Sequence, residues 1–137
     1  AMLFVDSAFG SPIVERLHAL GHKNVMEVSF GDRSPDHHQE NMRSYMWNRM
    51  REWLRSGALD PNDDNLAMDL AGPGYHVNKA NKIVLESKAE MQKRGVASPD
   101  DGDALALTFA QNVALLKKQE KEFGSTIFSN QGGSWMT

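Results

Sequence analysis

The 137-residue sequence contains no cysteine, which excludes disulfide cross-links and thiolate zinc centres and agrees with a reducing compartment. It also lacks any apolar run approaching the roughly 18 residues of a membrane span, and any charged-then-apolar secretory signal. The expectation is a soluble intracellular protein with no membrane partner. The Gly-x4-Gly-Lys-Ser/Thr pattern of a phosphate-binding loop is absent throughout, so no motor ATPase of that type is encoded here. Nor is there an excess of positive charge. With 15 Lys and Arg against 18 Asp and Glu, the formal charge is −3, so a bulk positive field does not attract nucleic acid, and any phosphate contact must be local. A hydrophobic share of 40% still supplies a core for one domain.

What the sequence does have is acid concentrated in one place. The run Ser98-Pro-Asp-Asp-Gly-Asp-Ala-Leu-Ala-Leu-Thr-Phe109 puts Asp100, Asp101 and Asp103 in the opening turns of a helix. Ser98 reads as its N-cap, Pro99 as its first residue and Asp101 as part of a capping box. Asp103 lies beyond the cap on a stretch that is apolar over much of its circumference (Leu105, Leu107, Phe109, Ala110, Val113, Leu116). A carboxylate there must be solvated, paired or metal-bound. Asp100, three residues earlier, shares its face, and two carboxylates offer the hard oxygens that a magnesium-type ion requires. Asp101 reads as a helix-dipole acid.

Along the chain, residues 3–5 read as a short strand ending in Asp6, followed by a turn over 7–11 and a helix over 12–21. Residues 24–30 form a second strand, 31–38 a polar loop, and 39–56 a long helix with Met42, Met46, Met50 and Trp53 or Leu54 on one side. A short helix after Asp60–Asn65, a break at Gly72-Pro-Gly74, a hairpin of 75–77 with 82–85, and a basic turn over 88–95 lead to the acidic helix, read as running to about residue 123. Asp6 taken alone is equally a strand-end residue starting an Asx-type turn. Arg43, Arg49, Arg51 and Arg55 read as a solvated salt-bridge face shared with Glu40 and Glu52. His37 and His38 are not read as metal ligands, because adjacent side chains are expected to point apart, and the five histidines lack zinc-helix spacing.

Several blocks together resemble the C-terminal nuclease domain of the tailed-phage terminase large subunit. Glu86-Ser-Lys88, Met91-Gln-Lys-Arg-Gly95, Ser98-Pro-Asp100 and Asp103-Ala-Leu-Ala-Leu-Thr-Phe109 are similar to that family's closing strand, short basic helix and acidic helix. Phe4-Val-Asp6, Gly10, Val14-Glu-Arg-Leu17 and Leu20-Gly21, with the strand over 25–30 and Gly31, resemble its middle segment. Tyr45-Met-Trp47 through Glu52-Trp-Leu54 to Gly57 resembles the helix between them.

The resemblance implies an α/β chain with a partial ribonuclease H-like fold, a mixed sheet flanked by helices over residues 1–123, and a flexible C-terminal tail over 124–137. The family's first strand, which bears the first metal-binding aspartate, and the two strands and helix after it have no counterpart here, as in an N-terminally truncated or prophage-type product. By resemblance Asp6 and Asp103 are catalytic. Asp6, Asp103 and Asp100 hold Mg2+ or Mn2+, weakly or not at all in the isolated chain, and Lys88, Lys93 and Arg94 touch DNA. The implied parent activity is metal-dependent endonucleolytic cleavage of concatemeric double-stranded DNA in the cytoplasm of a bacterial host, by in-line attack on phosphodiesters between two ions. Whether this chain is itself an enzyme stays open. The alternative is an inactive remnant or self-associating module, a homo-oligomer paired through the exposed edge of the strand ending at Asp6.

Overall fold

Strand β1 (Leu3–Asp6) and strand β2 (Val25–Val28) pair in parallel, from Leu3 opposite Val25 to Asp6 opposite Val28, in the computed structural model, which describes residues 1–113. Helix α1 (Ser7–Ala19) connects them. It starts directly at Ser7 rather than after a turn over 7–11, because the Asp6 carboxylate caps it by accepting the Ala8 N–H at 3.1 Å. Gly10 is the reason the helix lies so close to the strand: a side chain there would occupy the space of the Val5 methyl Cγ1.

Helix α2 (Met42–Trp53) is capped by the Asn41 side chain on the Ser44 N–H. It buries Met46 and Met50 almost completely and Trp47 nearly so, and these pack with Val28, Ala106 and Ala110. The methionine side of the long helix is thus the core side, as its spacing implied. Helix α3 (Asp64–Ala71) follows, then strands β3 (Tyr75–Val77) and β4 (Ile83–Leu85), an antiparallel pair, helix α4 (Lys88–Lys93) and helix α5 (Asp100–Leu107). A reciprocal Ser87–Glu90 capping box starts α4. The architecture is α/β, with one parallel and one antiparallel pair of strands among the described residues and helices flanking both.

Helix α5 differs from its expectation at both ends. Pro99 holds the N-cap position without a side-chain bond, and the Ser98 hydroxyl turns to Asp100 at 2.6 Å. The first N–H groups of the helix are satisfied from outside, by Asp69 of α3, which accepts from Asp101 at 2.8 Å and Gly102 at 3.2 Å. The helix ends at Leu107 rather than near residue 123, where tighter turn bonds take over and the Thr108 hydroxyl bonds to the Leu105 carbonyl. The expected tail over 124–137 lies outside the described residues.

Candidate functional site

The C-terminal end of β1, the loop after β2 and the first turns of α5 enclose a cleft of about 730 Å³. Asp6, Ser29, Lys88, Asp100, Asp103 and Leu107 contribute to its walls. The structure therefore brings together four of the residues singled out in the sequence: Asp6, Lys88, Asp100 and Asp103.

Their states differ. Asp6 is half-buried and spends one oxygen on the α1 cap. Asp103 is 4% exposed and heavily engaged. Its Oδ1 accepts from Arg43 Nε at 3.0 Å and Trp47 Nε1 at 2.8 Å, while its Oδ2 receives the Lys88 ammonium at 3.1 Å. Arg43 itself is buried, donates a further bond to the Glu86 carbonyl at 2.7 Å and stacks over the Trp47 ring at 5.8 Å. A buried carboxylate is tolerable only with such partners.

Lys88 also reaches Asp100 Oδ1 at 3.2 Å, so a single ammonium bridges two of the three expected metal-ligating carboxylates. Partial burial by itself lowers the Lys88 pKa, but the bonds and charges of Asp103 and then Asp100 outweigh it and raise the value. The Ser98 hydroxyl and Lys88 hold the Asp100 carboxyl below its usual range. Asp6, Asp100 and Asp103 offer oxygen donors of the type a hard divalent ion takes. Among the described residues, however, the three ligand atoms that lie within 4.8 Å of one another belong instead to Asp36, His37 and His38.

One sequence reading is corrected here. Arg43 does not belong to a solvated salt-bridge face; it is the buried partner of Asp103. Its place in the stripe of Arg43, Met46, Trp47 and Met50, spaced as neighbours on one helix face, was the available signal. Arg94, expected on DNA, is bidentate to Glu86 at 2.7 Å for both bonds and also bonds to the Gly72 carbonyl at 2.6 Å. With the Gly74 N–H, this guanidinium holds the Glu86 carboxyl down at about 2. Arg94 thus ties α4 to the start of the hairpin, and neither it nor Lys93 lines the cleft.

Solved structures of similar fold exist. The nuclease domain of the large terminase subunit gp2 of bacterial virus Sf6 matches over 81% of this chain and 65% of its own length, at a TM-score of 0.56 and 21% identity. A lysine-to-alanine variant of that domain with manganese matches at a TM-score of 0.57 and 20% identity, over 80% of this chain and 65% of that one. The same variant with calcium gives 0.56 and 20%, over 80% and 64%. The chain has the fold of a terminase nuclease domain. It spans about two thirds of the solved domains' length, 65% for the wild-type gp2 domain, so the ribonuclease H-like fold expected from the sequence is present in part. No protein-family model and no curated protein matches the sequence. No helix among the described residues is long and apolar enough to cross a membrane. Within the terminase nuclease fold, the cleft joins a strand end to a helix start, the edge at which open α/β sheets gather their sites.

Proposed function

We propose that this chain is a segment of a metal-dependent DNA endonuclease of the terminase type, whose parent protein cuts concatemeric double-stranded DNA. The observation that carries the reading is the meeting of Asp6, Asp100, Asp103 and Lys88 in one cleft of a fold shared with terminase nuclease domains. Asp6, whose Oδ1 caps α1, and Asp100, whose Oδ1 bonds to Ser98 and Lys88, would hold a magnesium- or manganese-type ion together with Asp103. Such an ion supplies Lewis acidity at a phosphodiester oxygen. Lys88 places a cation against the approaching backbone. Asp103 orients Lys88 and anchors α5 to α2 through Arg43 and Trp47, which fixes the cleft wall. Asp6 already caps α1, and Asp100 and Asp103 share the Lys88 ammonium, so the isolated chain is expected to bind metal weakly and cut little.

A second reading is an inactive remnant that keeps the fold and self-associates. It is favoured by the Lys88 ammonium, which bridges Asp100 and Asp103 and competes with an ion for their oxygens. Manganese binding followed by electron paramagnetic resonance, beside a plasmid-cutting assay, separates the two. Weak binding lost in Asp6→Asn, with little cutting, supports the nuclease segment. No binding at millimolar manganese supports the remnant, and vigorous cutting abolished in Asp6→Asn means that Asp6, Asp100 and Asp103 suffice for catalysis.

A further inference from the structure

We propose that Asp36, His37 and His38, in the loop between β2 and α2, chelate a divalent transition-metal ion of the zinc type at a place separate from the Asp6 cleft. Their ligand atoms already lie within 4.8 Å of one another. Tetrahedral zinc with bonds of about 2.0–2.1 Å needs its ligands roughly 3.3 Å apart. Both imidazoles are exposed, so rotation of the side chains can close that gap. The two rings do not point apart, as adjacent residues in a strand would. Their centroids are 3.9 Å apart and tilted by 38°, because the backbone turns sharply here.

The turn is braced on both sides. The Ser34 hydroxyl bonds to both the carbonyl (2.7 Å) and the N–H (3.0 Å) of Asp36, and the Gln39 N–H bonds to the Asp36 carbonyl at 3.1 Å. Beyond it, Ile83 of β4 donates to the His38 carbonyl at 2.7 Å and accepts the Glu40 N–H at 2.9 Å. A loop fixed in this way has little ordering entropy left to lose on binding an ion. Asp36 Oδ1 lies 3.0 Å from His38 Nδ1, close to the ligand–ligand separation of a tetrahedral ion, which would take the place of the hydrogen bond between them. A further observation comes from Gln39, which is 2% exposed and lines the cavity of about 240 Å³ beside Asp36 and His37. Its Oε1 is buried without any hydrogen-bond donor, an unpaired acceptor next to the ligand cluster that a metal-bound water would satisfy. Two imidazoles with one carboxylate select zinc, nickel or copper over magnesium, which prefers oxygen. Arg33 and Lys82 share the cavity and oppose a dication, although Lys82 is drawn toward Glu40 at 4.0 Å.

The test is a titration of the whole chain with Zn2+ against a chromophoric chelator, beside Co2+ followed by its visible absorption. A single equivalent of Zn2+ should bind, with cobalt bands of low-symmetry coordination, and excess Mg2+ should not displace it. His37→Ala and His38→Ala should each weaken binding by about tenfold or more, with unchanged far-UV circular dichroism, since both residues are exposed. Asp6→Asn and Asp100→Asn should leave it intact, which keeps this site distinct from the nuclease reading. Zinc binding that survives the double His37→Ala/His38→Ala variant, that disappears in Asp6→Asn, or that is absent from the wild-type chain would overturn the proposal.

Discussion

At the scale of single residues, Asp103 is where structure and chemistry meet, and its replacement separates the two. Asp103→Ala leaves the buried Arg43 guanidinium without its counter-ion, a loss expected to cost about 3–5 kcal/mol. Asp103→Asn keeps an acceptor for Arg43 Nε and Trp47 Nε1 and should cost less, about 1–3 kcal/mol. Urea midpoints at an unchanged slope measure both, and equal midpoints for the two variants would contradict the pairing. Asp6→Asn is accordingly the cleaner probe of metal binding. Glu86 gives a pH dependence with a definite sign. Arg94 and the Gly74 N–H lower its pKa from an ordinary 4.5 to about 2, so its contribution is present above 4.5 and is lost as pH falls from there through about 2. Asp100 acts in the same direction, whereas Lys88, raised, contributes below its ordinary value of 10.5 and loses that contribution only as pH rises through its higher folded value. Acid melts should show a falling limb below 4.5 that is flatter in Glu86→Gln. Asp103 stood out in the sequence because a lone carboxylate interrupted an apolar stretch. Arg43 was harder to single out, since only its place on the Met46, Trp47 and Met50 face separates it from Arg49, Arg51 and Arg55.

At the scale of elements, short-range rules were enough for β1, β2, the hairpin and the buried face of α2, all of which follow from local apolar pattern and turn residues. They failed where another element supplied the missing partner. The start of α5 is one case: its N–H groups are capped by Asp69, 32 positions from Asp101, and no local signature encodes that bond. Asp69→Ala should therefore destabilise the chain by about 1 kcal/mol, as loss of an N-cap does, and raise amide exchange at Asp101 and Gly102 first. The start of α1 is the other case, where residues 7–11 read as a turn and Gly10 is instead a helical residue in close contact with Val5. Helix propensity alone favours Gly10→Ala by about 1 kcal/mol. The clash with Val5 reverses the sign, giving a net loss of about 1–3 kcal/mol, and thermal melts of the Gly10→Ala/Val5→Ala double variant should recover most of it. A Gly10→Ala chain more stable than wild type would mean that α1 is free to move away from β1.

At the scale of the whole molecule, the parallel pair is the exposed flank. Among the described residues β1 pairs with β2 alone, so one row of its N–H and C=O groups has no strand beside it. Leu3, Phe9 and Ile13 nearby are 47%, 94% and 57% exposed. A strand edge flanked by apolar side chains, with no lysine or proline to blunt it, is a template for pairing. A two-fold arrangement lets two copies bring identical edges together and cover Phe9 and Ile13 in the same step. The isolated chain is therefore expected to sediment as a dimer at micromolar concentration. Leu3→Lys combined with Phe9→Glu places charge at the edge and on the adjoining helix without touching the core of Met46, Met50 and Ala106. That variant should sediment as a monomer near the chain mass of 15.3 kDa, with unaltered circular dichroism and unaltered zinc binding. A wild-type chain that is itself monomeric at the same concentration would mean that this edge is satisfied within the chain, and the self-associating reading of the fold would fall with it.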